Sequence, residues 1–584
     1  MPIGDDSIAT TATRFSTRDR PQVNEAGGSG AGATTFPKFG TLLSRFVVPL
    51  GFYFVAFCVL TWPRITQFST HFFCDAGDGL QNVWNMWWIK KAVTELHQSP
   101  WHTTWLHYPF GISLHGHTLN PFNGLLGIVL QQFMTLRQAH NTLIVLSFSA
   151  GGLTAFWLAL RVSGSYGGSL LAGYVFTFSQ FHFAHAQGHM NLVSLQWLPL
   201  FLLFALNLVD RPTVPAATAA ALGLFGVYLC DYYYFLYGVS ASAILVMWTA
   251  WQRKDPWFWT REAYRRPVAA FLLVSAATTG VLLIGLAWSN WNDPFVGSHP
   301  ADMFSLDLLA LVIPGGHWRF APVTAGYWSR LKVNIHESSV YVGYGVLFLL
   351  VCAWRGRRAV PGLSYWFIVL AFFGVMALGP VLHLWGRAVP FLPLPYSLLE
   401  VAIPWFRLSG VPVRMVVMVT LAAAVIAAVG VRLLWAVETR RWVLVPLLIL
   451  IGVEYVPWPI PAIAPPNTDF VEVLGNPSGH GAYIEASAEP LRGGTALYFQ
   501  TQHEQPMAFG YTSRTSQSVE RKETELRRLA GTGQWQTLAC QYGIRWLLTD
   551  TERSLPVPTK PVVLWTQERE KKARLYEIGA LCRG

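Results

Sequence analysis

The stretch that decides the fold is Cys74-Asp75-Ala76-Gly77-Asp78-Gly79-Leu80-Gln81-Asn82-Val83-Trp84-Asn85-Met86-Trp87-Trp88, which follows the first long apolar run, 43–62. Leu80, Val83, Trp84, Trp87, Trp88 and Lys91 recur at helical spacing along one side. Three Trp on such a stripe suit a membrane–water interface, so the spacing predicts an amphipathic helix at a membrane surface. Two carboxylates, Asp75 and Asp78, stand just before it. Asp78 with Gln81 three residues later fits a capping box, which gives Asp78 a structural reason to be there. Asp75 reads equally well as a turn residue.

Outward from this stretch the chain reads as an α-helical polytopic membrane protein. It is 52% hydrophobic and 12% charged, with 26 Trp, whereas soluble domains carry about a quarter charged residues. The formal charge of +11 does not point to nucleic acid. Its Lys and Arg sit mostly in short clusters between apolar runs, as in cytoplasmic loops, and no basic helix is interleaved with base-stacking aromatics. The six Cys show neither metal-site spacing nor a dense disulfide framework, although Cys540 and Cys582 could pair in an oxidising compartment.

About 11 transmembrane helices are expected, at 43–62, 139–160, 166–183, 190–209, 214–231, 233–251, 268–288, 338–354, 363–380, 413–431 and 442–458. The apolar segment 119–136 decides orientation. If it spans, the basic clusters at 253–266, 355–358 and 440–441 face outward; if it is re-entrant or interfacial, all of them face the cytoplasm. The charge bias favours the second arrangement, with the N-terminus inside and the C-terminus outside. All 16 His then fall in or beside outer segments.

Residues 1–40, rich in Ser, Thr, Gly and Ala, read as a disordered cytoplasmic tail and lack the cleavage site of a signal peptide. Residues 41–458 form the membrane domain, with outer loops 63–138 and 289–337. Residues 459–584 carry frequent, nearly balanced charges and read as a small extracytoplasmic α/β domain. Its expected strands are Thr495–Phe499, Gly543–Leu548 and Pro561–Trp565, with a charged helix from Ser518 to Leu529.

Polar groups on the outer side are the candidates for chemistry. His107, His115 and His117 do not match zinc spacing and read better as polar lining, as do His182, His185 and His189. Asp231 stands at the outer end of a span, where an ionisable group usually has a purpose or sits in water beside an aromatic belt. Glu337 heads a span, where the helix dipole favours an anion. Arg407 and Arg414 lie on the outer side before the tenth span; an Arg fork matches phosphate, and snorkelling to head groups is the alternative. Arg319, Arg330 and Lys332 are weaker candidates.

Several patches in order resemble the bacterial membrane proteins of the GT-C glycosyltransferase superfamily. They are Gly77-Asp78 with Leu, Asn and Trp at helical spacing, then Tyr108-Pro109-Phe110-Gly111, Ala172–Ser179, and His189 to Leu200. Glu337 with Tyr341-Val342-Gly343-Tyr344, Leu378-Gly379-Pro380 and Phe406-Arg407 to Val413-Arg414 follow, so the resemblance covers about 45–430. It implies an inner-membrane enzyme that takes a polyprenyl-phosphate-linked sugar and a glycan, lipid or protein acceptor, with its catalytic Asp in the first outer loop. By position that is Asp78, with Asp75 next. Arg407, Arg414, Asp231, Glu337, His107 and His189 would bind substrate. No resident cofactor is implied with certainty, although a divalent cation is compatible. The alternative is a non-catalytic transporter or lipid-handling protein, with a scaffold as a third reading. Transporters tend to show internal repeats and mid-membrane ionisable residues, and neither is evident here.

Overall fold

The computed structural model describes residues 39–297, 300–331, 335–402, 406, 410–465, 469–475, 480–491, 493–566 and 569–582. Nearly all of the expected tail 1–40, and Arg407, lie outside the described residues.

Among the described residues, five helices are long and apolar enough to cross a membrane: 40–60, 136–163, 232–253, 262–292 and 412–435. The central one continues as Val416–Trp435, whose run of Ala and Val is buried almost throughout. Small side chains let it sit in the middle of the bundle, against Leu136–Ser163, Tyr166–Thr177, Tyr344–Arg355 and Leu363–Ala377. Leu136–Ser163 has clear ends: Thr135 and Gln138 form a capping box, and left-handed Gly164 closes it. Glu454 ends the helix Leu444–Glu454 and caps its neighbour, accepting from the N–H of Tyr344 (2.7 Å) and Gly345 (3.1 Å) and from the Tyr341 hydroxyl (2.6 Å). The segment 119–136 contains a helix of only ten residues, Pro121–Leu130. At about 1.5 Å per residue that helix is about half as long as a ~30 Å hydrocarbon core is thick.

Two expected spans are corrected. In place of unbroken helices at 166–183 and 190–209, the chain forms Tyr166–Thr177 and Trp197–Asp210, joined by two short helices, Gln180–His185 and Met190–Val193. The cause is the polar run from Gln180 to Asn191, which could not face lipid. A broken backbone is tolerated at such a depth only when protein surrounds it. His182 ties the break together, with Nδ1 2.6 Å from the Thr177 carbonyl and Nε2 2.9 Å from that of Val193.

A four-stranded sheet closes the C-terminal part, in the order Ala482–Glu485, Ile544–Thr549, Arg569–Tyr576, Thr559–Thr566. The first pair is parallel and the others antiparallel. The expected charged helix is present as Gln517–Gly531, and a disulfide joins Cys540 to Cys582. The expected strand 495–499 is instead part of a helix, Gly493–His503. Its two sides meet different partners: Gln500 receives the indole N–H of Trp84, and Phe499 packs edge-on to Phe470. Burial on both sides hides the 3.6-residue period, so the short apolar run mimics a strand.

That docking also corrects the placement of the Trp helix. Asp78–Lys90 does not present its indoles to lipid; Trp84, Trp87 and Trp88 are buried in one cluster with Leu497, Phe499, Trp546 and Leu575 of the C-terminal part. The C-terminal part offers the stripe a drier partner than the membrane interface would.

Candidate active site

The loop before the Trp helix is shaped by Asp75 rather than by Asp78. Asp75 Oδ1 accepts from the N–H groups of Gly77 (2.8 Å) and Gly79 (3.0 Å). Gly77 is the N-cap residue and has no side chain with which to cap the helix. Gln81 donates to the Tyr511 carbonyl (2.9 Å), so the expected capping box is absent. Asp75 has taken the capping task, which frees the Asp78 carboxylate for other contacts. The turn 186–189 locks against this loop: the Asp75 N–H donates to the Gln187 carbonyl (2.7 Å), and the Asn82 amide to that of Gly188 (2.8 Å). A Cβ on Gly188 would stand 2.7 Å from Asp75 Oδ2, so a larger residue there would push this carboxylate aside.

From Asp78 a continuous line of polar groups runs inward. Tyr511 O–H donates to Asp78 Oδ1 at 2.5 Å. Asp78 Oδ2 lies 3.4 Å from His189 Nε2, and the Asp78 side chain keeps 39% of its surface exposed. His189 Nδ1 is 3.0 Å from His185 Nδ1, so one ring donates to the other. His185 is fully buried, and its Nε2 stands 3.6 Å from Glu337 Oε2 without a hydrogen bond. Glu337 holds the Arg414 guanidinium on both oxygens, through Nε at 3.0 and 3.1 Å and through a close Nη2 contact. Arg414 in turn lies over the Tyr233 ring, 5.0 Å from its centroid.

The electrostatics follow from these contacts. Burial works to raise Asp78, but hydrogen bonds from His189 and Tyr511 overcome it and hold the carboxyl below its usual range. Burial raises Asp75, against its two backbone N–H bonds and with the charge of Asp78 adding to the rise. Burial of Glu337 is likewise overcome, chiefly by Arg414 and then His185, and its carboxyl is held far below the ordinary value. Asp78 and Glu337 are thus both held toward the ionised form, in different settings. Glu337 is buried and charge-paired, while Asp78 reaches solvent.

Residues 50–453 match a family model described as a domain of unknown function, DUF6311. The chain belongs to that family. No curated protein matches it. Among solved structures, arabinofuranosyltransferase AftD from Mycobacteria superposes with a TM-score of 0.56 at 13% identity, covering 91% of this chain and 41% of AftD. A second AftD structure gives 0.50. ArnT from Cupriavidus metallidurans, bound to undecaprenyl phosphate, gives 0.39 at 11% identity over 93% of this chain and 99% of ArnT. The chain thus spans about two fifths of the AftD length, and the likeness to AftD shows a shared fold for this DUF6311 chain.

Of the residues singled out in the sequence, the fold gathers Asp75, Asp78, His189, Glu337 and Arg414. Asp231 joins from the side: it caps Tyr232–Arg253 by accepting from the Tyr234 N–H (3.0 Å), and its other oxygen receives the Asn191 amide (2.6 Å). His107 is not brought here. It is buried between the first loop and the C-terminal part, where a Cβ on Gly510 would stand 2.6 Å from its Nε2. Tyr511, Asn191 and Arg514 escape sequence reading altogether. Arg514 and Arg414 both bear electrostatically on Tyr233. Nothing in the local sequence at 511–514 points to a site some 430 residues away in the chain.

Proposed function

We propose that this protein is a membrane glycosyltransferase that moves a sugar from a polyprenyl-phosphate carrier to an extracytoplasmic acceptor, with Asp78 as general base. The observation that supports this most directly is the Asp78 carboxylate, not engaged in capping its helix, part-exposed and held between His189 and Tyr511. An ionised carboxylate in that position suits proton removal from a hydroxyl. In the step proposed, Asp78 takes the acceptor O–H proton, the acceptor oxygen forms the new bond to sugar C1, and the C1–O bond to phosphate breaks in line. The configuration at C1 inverts, and the carrier phosphate leaves with the electron pair.

Arg414 is committed to Glu337 through Nε and Nη2, so its task is to keep the buried carboxylate charged and in place. Arg514 and Arg407 are the guanidinium groups we assign to the leaving phosphate. A divalent cation has one candidate place among the described residues, at His185, His189 and Glu337, whose ligand atoms lie within 4.8 Å of one another. A dication there would compete with Arg414 for both Glu337 oxygens. Transfer is therefore expected to survive EDTA, and loss on chelation with recovery on Mn²⁺ would put the ion into the mechanism.

The test uses full-length protein in proteoliposomes with undecaprenyl-phosphate-linked hexoses and pentoses. Wild type should transfer sugar, and Asp78→Asn should abolish transfer while expression and membrane insertion stay intact. Full activity in Asp78→Asn removes Asp78 from the chemistry. Substrate flux without sugar transfer favours the transporter.

A further inference from the structure

The contact between Tyr511 and Asp78 joins two parts of the chain that a sequence reading keeps apart, and it is a built contact. The helix Gly493–His503 approaches the Asp75–Asp78 loop end-on. A Cβ on Gly494 would stand 2.0 Å from the Gly77 carbonyl oxygen, so glycine alone allows the approach. The segment after that helix then folds back over the site. The Tyr511 carbonyl accepts from Gln81 (2.9 Å), and a Cβ on Gly493 would stand 2.4 Å from Cγ of the Tyr511 ring. The Ser513 N–H donates to His117 Nδ1 (3.1 Å), and His117 Nε2 is 2.7 Å from Asn85 Oδ1, on the same helix as Asp78. Ser513 also meets Thr118, hydroxyl to hydroxyl, at 2.7 Å. The phenol is thus fixed from both sides of its own backbone before it touches Asp78.

We infer that Tyr511 is a positioning residue for Asp78: the C-terminal part supplies the hydrogen bond that holds the carboxylate in the orientation needed to meet the acceptor hydroxyl. The inference rests on the glycosyltransferase reading above. The carboxylate has two oxygens. Oδ1 takes the Tyr511 hydrogen bond and Oδ2 faces His189, so rotation about the Cβ–Cγ bond is blocked. Without the phenol, the group keeps one anchor and can turn toward the solvent it already reaches. A base misplaced by an ångström loses rate rather than binding, because the positioning serves the transition state. Neither the carrier nor the acceptor needs to touch Tyr511 for this effect.

The measurement is steady-state transfer by full-length protein in proteoliposomes, with the undecaprenyl-phosphate sugar that wild type accepts. Tyr511→Phe keeps the ring and removes the hydroxyl. It should lower kcat by roughly ten- to a hundredfold, leave KM for the lipid donor within about twofold, and leave the thermal unfolding midpoint unchanged. Glu504→Gln, which weakens the Lys91–Glu504 ion pair (2.7 Å) between the same two parts without touching Asp78 or the segment around Tyr511, should leave kcat near wild type. Equal losses in Tyr511→Phe and Glu504→Gln would make Tyr511 a docking residue only, and so would a fall in the unfolding midpoint that matches the loss of rate. Wild-type kcat in Tyr511→Phe overturns the inference. Asp78→Asn separates the two failures. If it is inactive while Tyr511→Phe is unaffected, only the positioning role falls. If Asp78→Asn is fully active, the general-base reading falls with it. If wild type transfers no sugar from any donor tried, binding of undecaprenyl phosphate alone still reports: tighter or weaker binding in Tyr511→Phe than in wild type would place Tyr511 on the carrier and overturn the inference.

Discussion

At the scale of the residue, two aspartates three positions apart have opposite environments. Asp75 faces inward and satisfies backbone N–H groups, while Asp78 faces a polar line and solvent. An Asn at position 75 keeps an acceptor oxygen for Gly77 and Gly79. Asp75→Asn is therefore expected to retain most of the transfer activity that Asp78→Asn loses, and Asp75→Ala to cost about 1 kcal/mol of stability as a lost cap. Thermal unfolding beside a transfer assay separates these effects. An Asp75→Asn protein as inactive as Asp78→Asn would assign chemistry to Asp75 as well. The general position of the carboxylates was legible because Asp, Gly and a Trp-rich helical period lie together in the chain. Which of the two caps the helix was not, since either carboxylate suits a helix start on spacing alone, and only the folded loop puts Asp75 Oδ1 on the N–H groups of Gly77 and Gly79.

At the scale of the element, the Trp helix is a core element rather than an interfacial one. Trp84 and Trp88 stack with ring centroids 5.8 Å apart, and the Trp84 N–H reaches Gln500 at 2.7 Å. Truncating a buried indole leaves a cavity and an unpaired amide. Trp84→Ala is expected to destabilise the protein by about 3–5 kcal/mol and to ease proteolytic release of the C-terminal part in detergent. An unchanged unfolding midpoint and protease pattern would return this helix to the membrane surface. The stripe itself was plain in the sequence, because its period is local. Its partner was not, because lipid interface and protein core ask for the same aromatic side chains. The broken spans at 178–196 follow the same logic: hydropathy averages over a window, whereas His182, His185 and Asn191 each need a particular partner.

At the scale of the whole molecule, the Cys540–Cys582 disulfide fits the orientation read from charge, since such bonds persist outside the cytoplasm. A separation of 42 residues corresponds to about 4 kcal/mol in the loop-entropy account. Cys540→Ser should lower the unfolding midpoint of the full chain, and wild type should run faster on a non-reducing gel than after reduction. Free thiols at both positions in protein taken directly from cells would argue against an extracytoplasmic C-terminus.

The sequence by itself determined a helical membrane protein, the place of its first-loop carboxylates and, in the C-terminal part, the charged helix and two of the four strands of the sheet, Ile544–Thr549 and Thr559–Thr566. These properties follow from composition and from periods shorter than about four residues, which each segment carries within itself. The tertiary structure alone decided that Asp75 caps while Asp78 stands clear, that the Trp stripe is buried, and that Tyr511 reaches the site. The last two depend on contacts between distant segments, and the approach is close enough at Gly494 that a Cβ there would stand 2.0 Å from the Gly77 carbonyl oxygen. Such a contact leaves no periodic trace in a single chain.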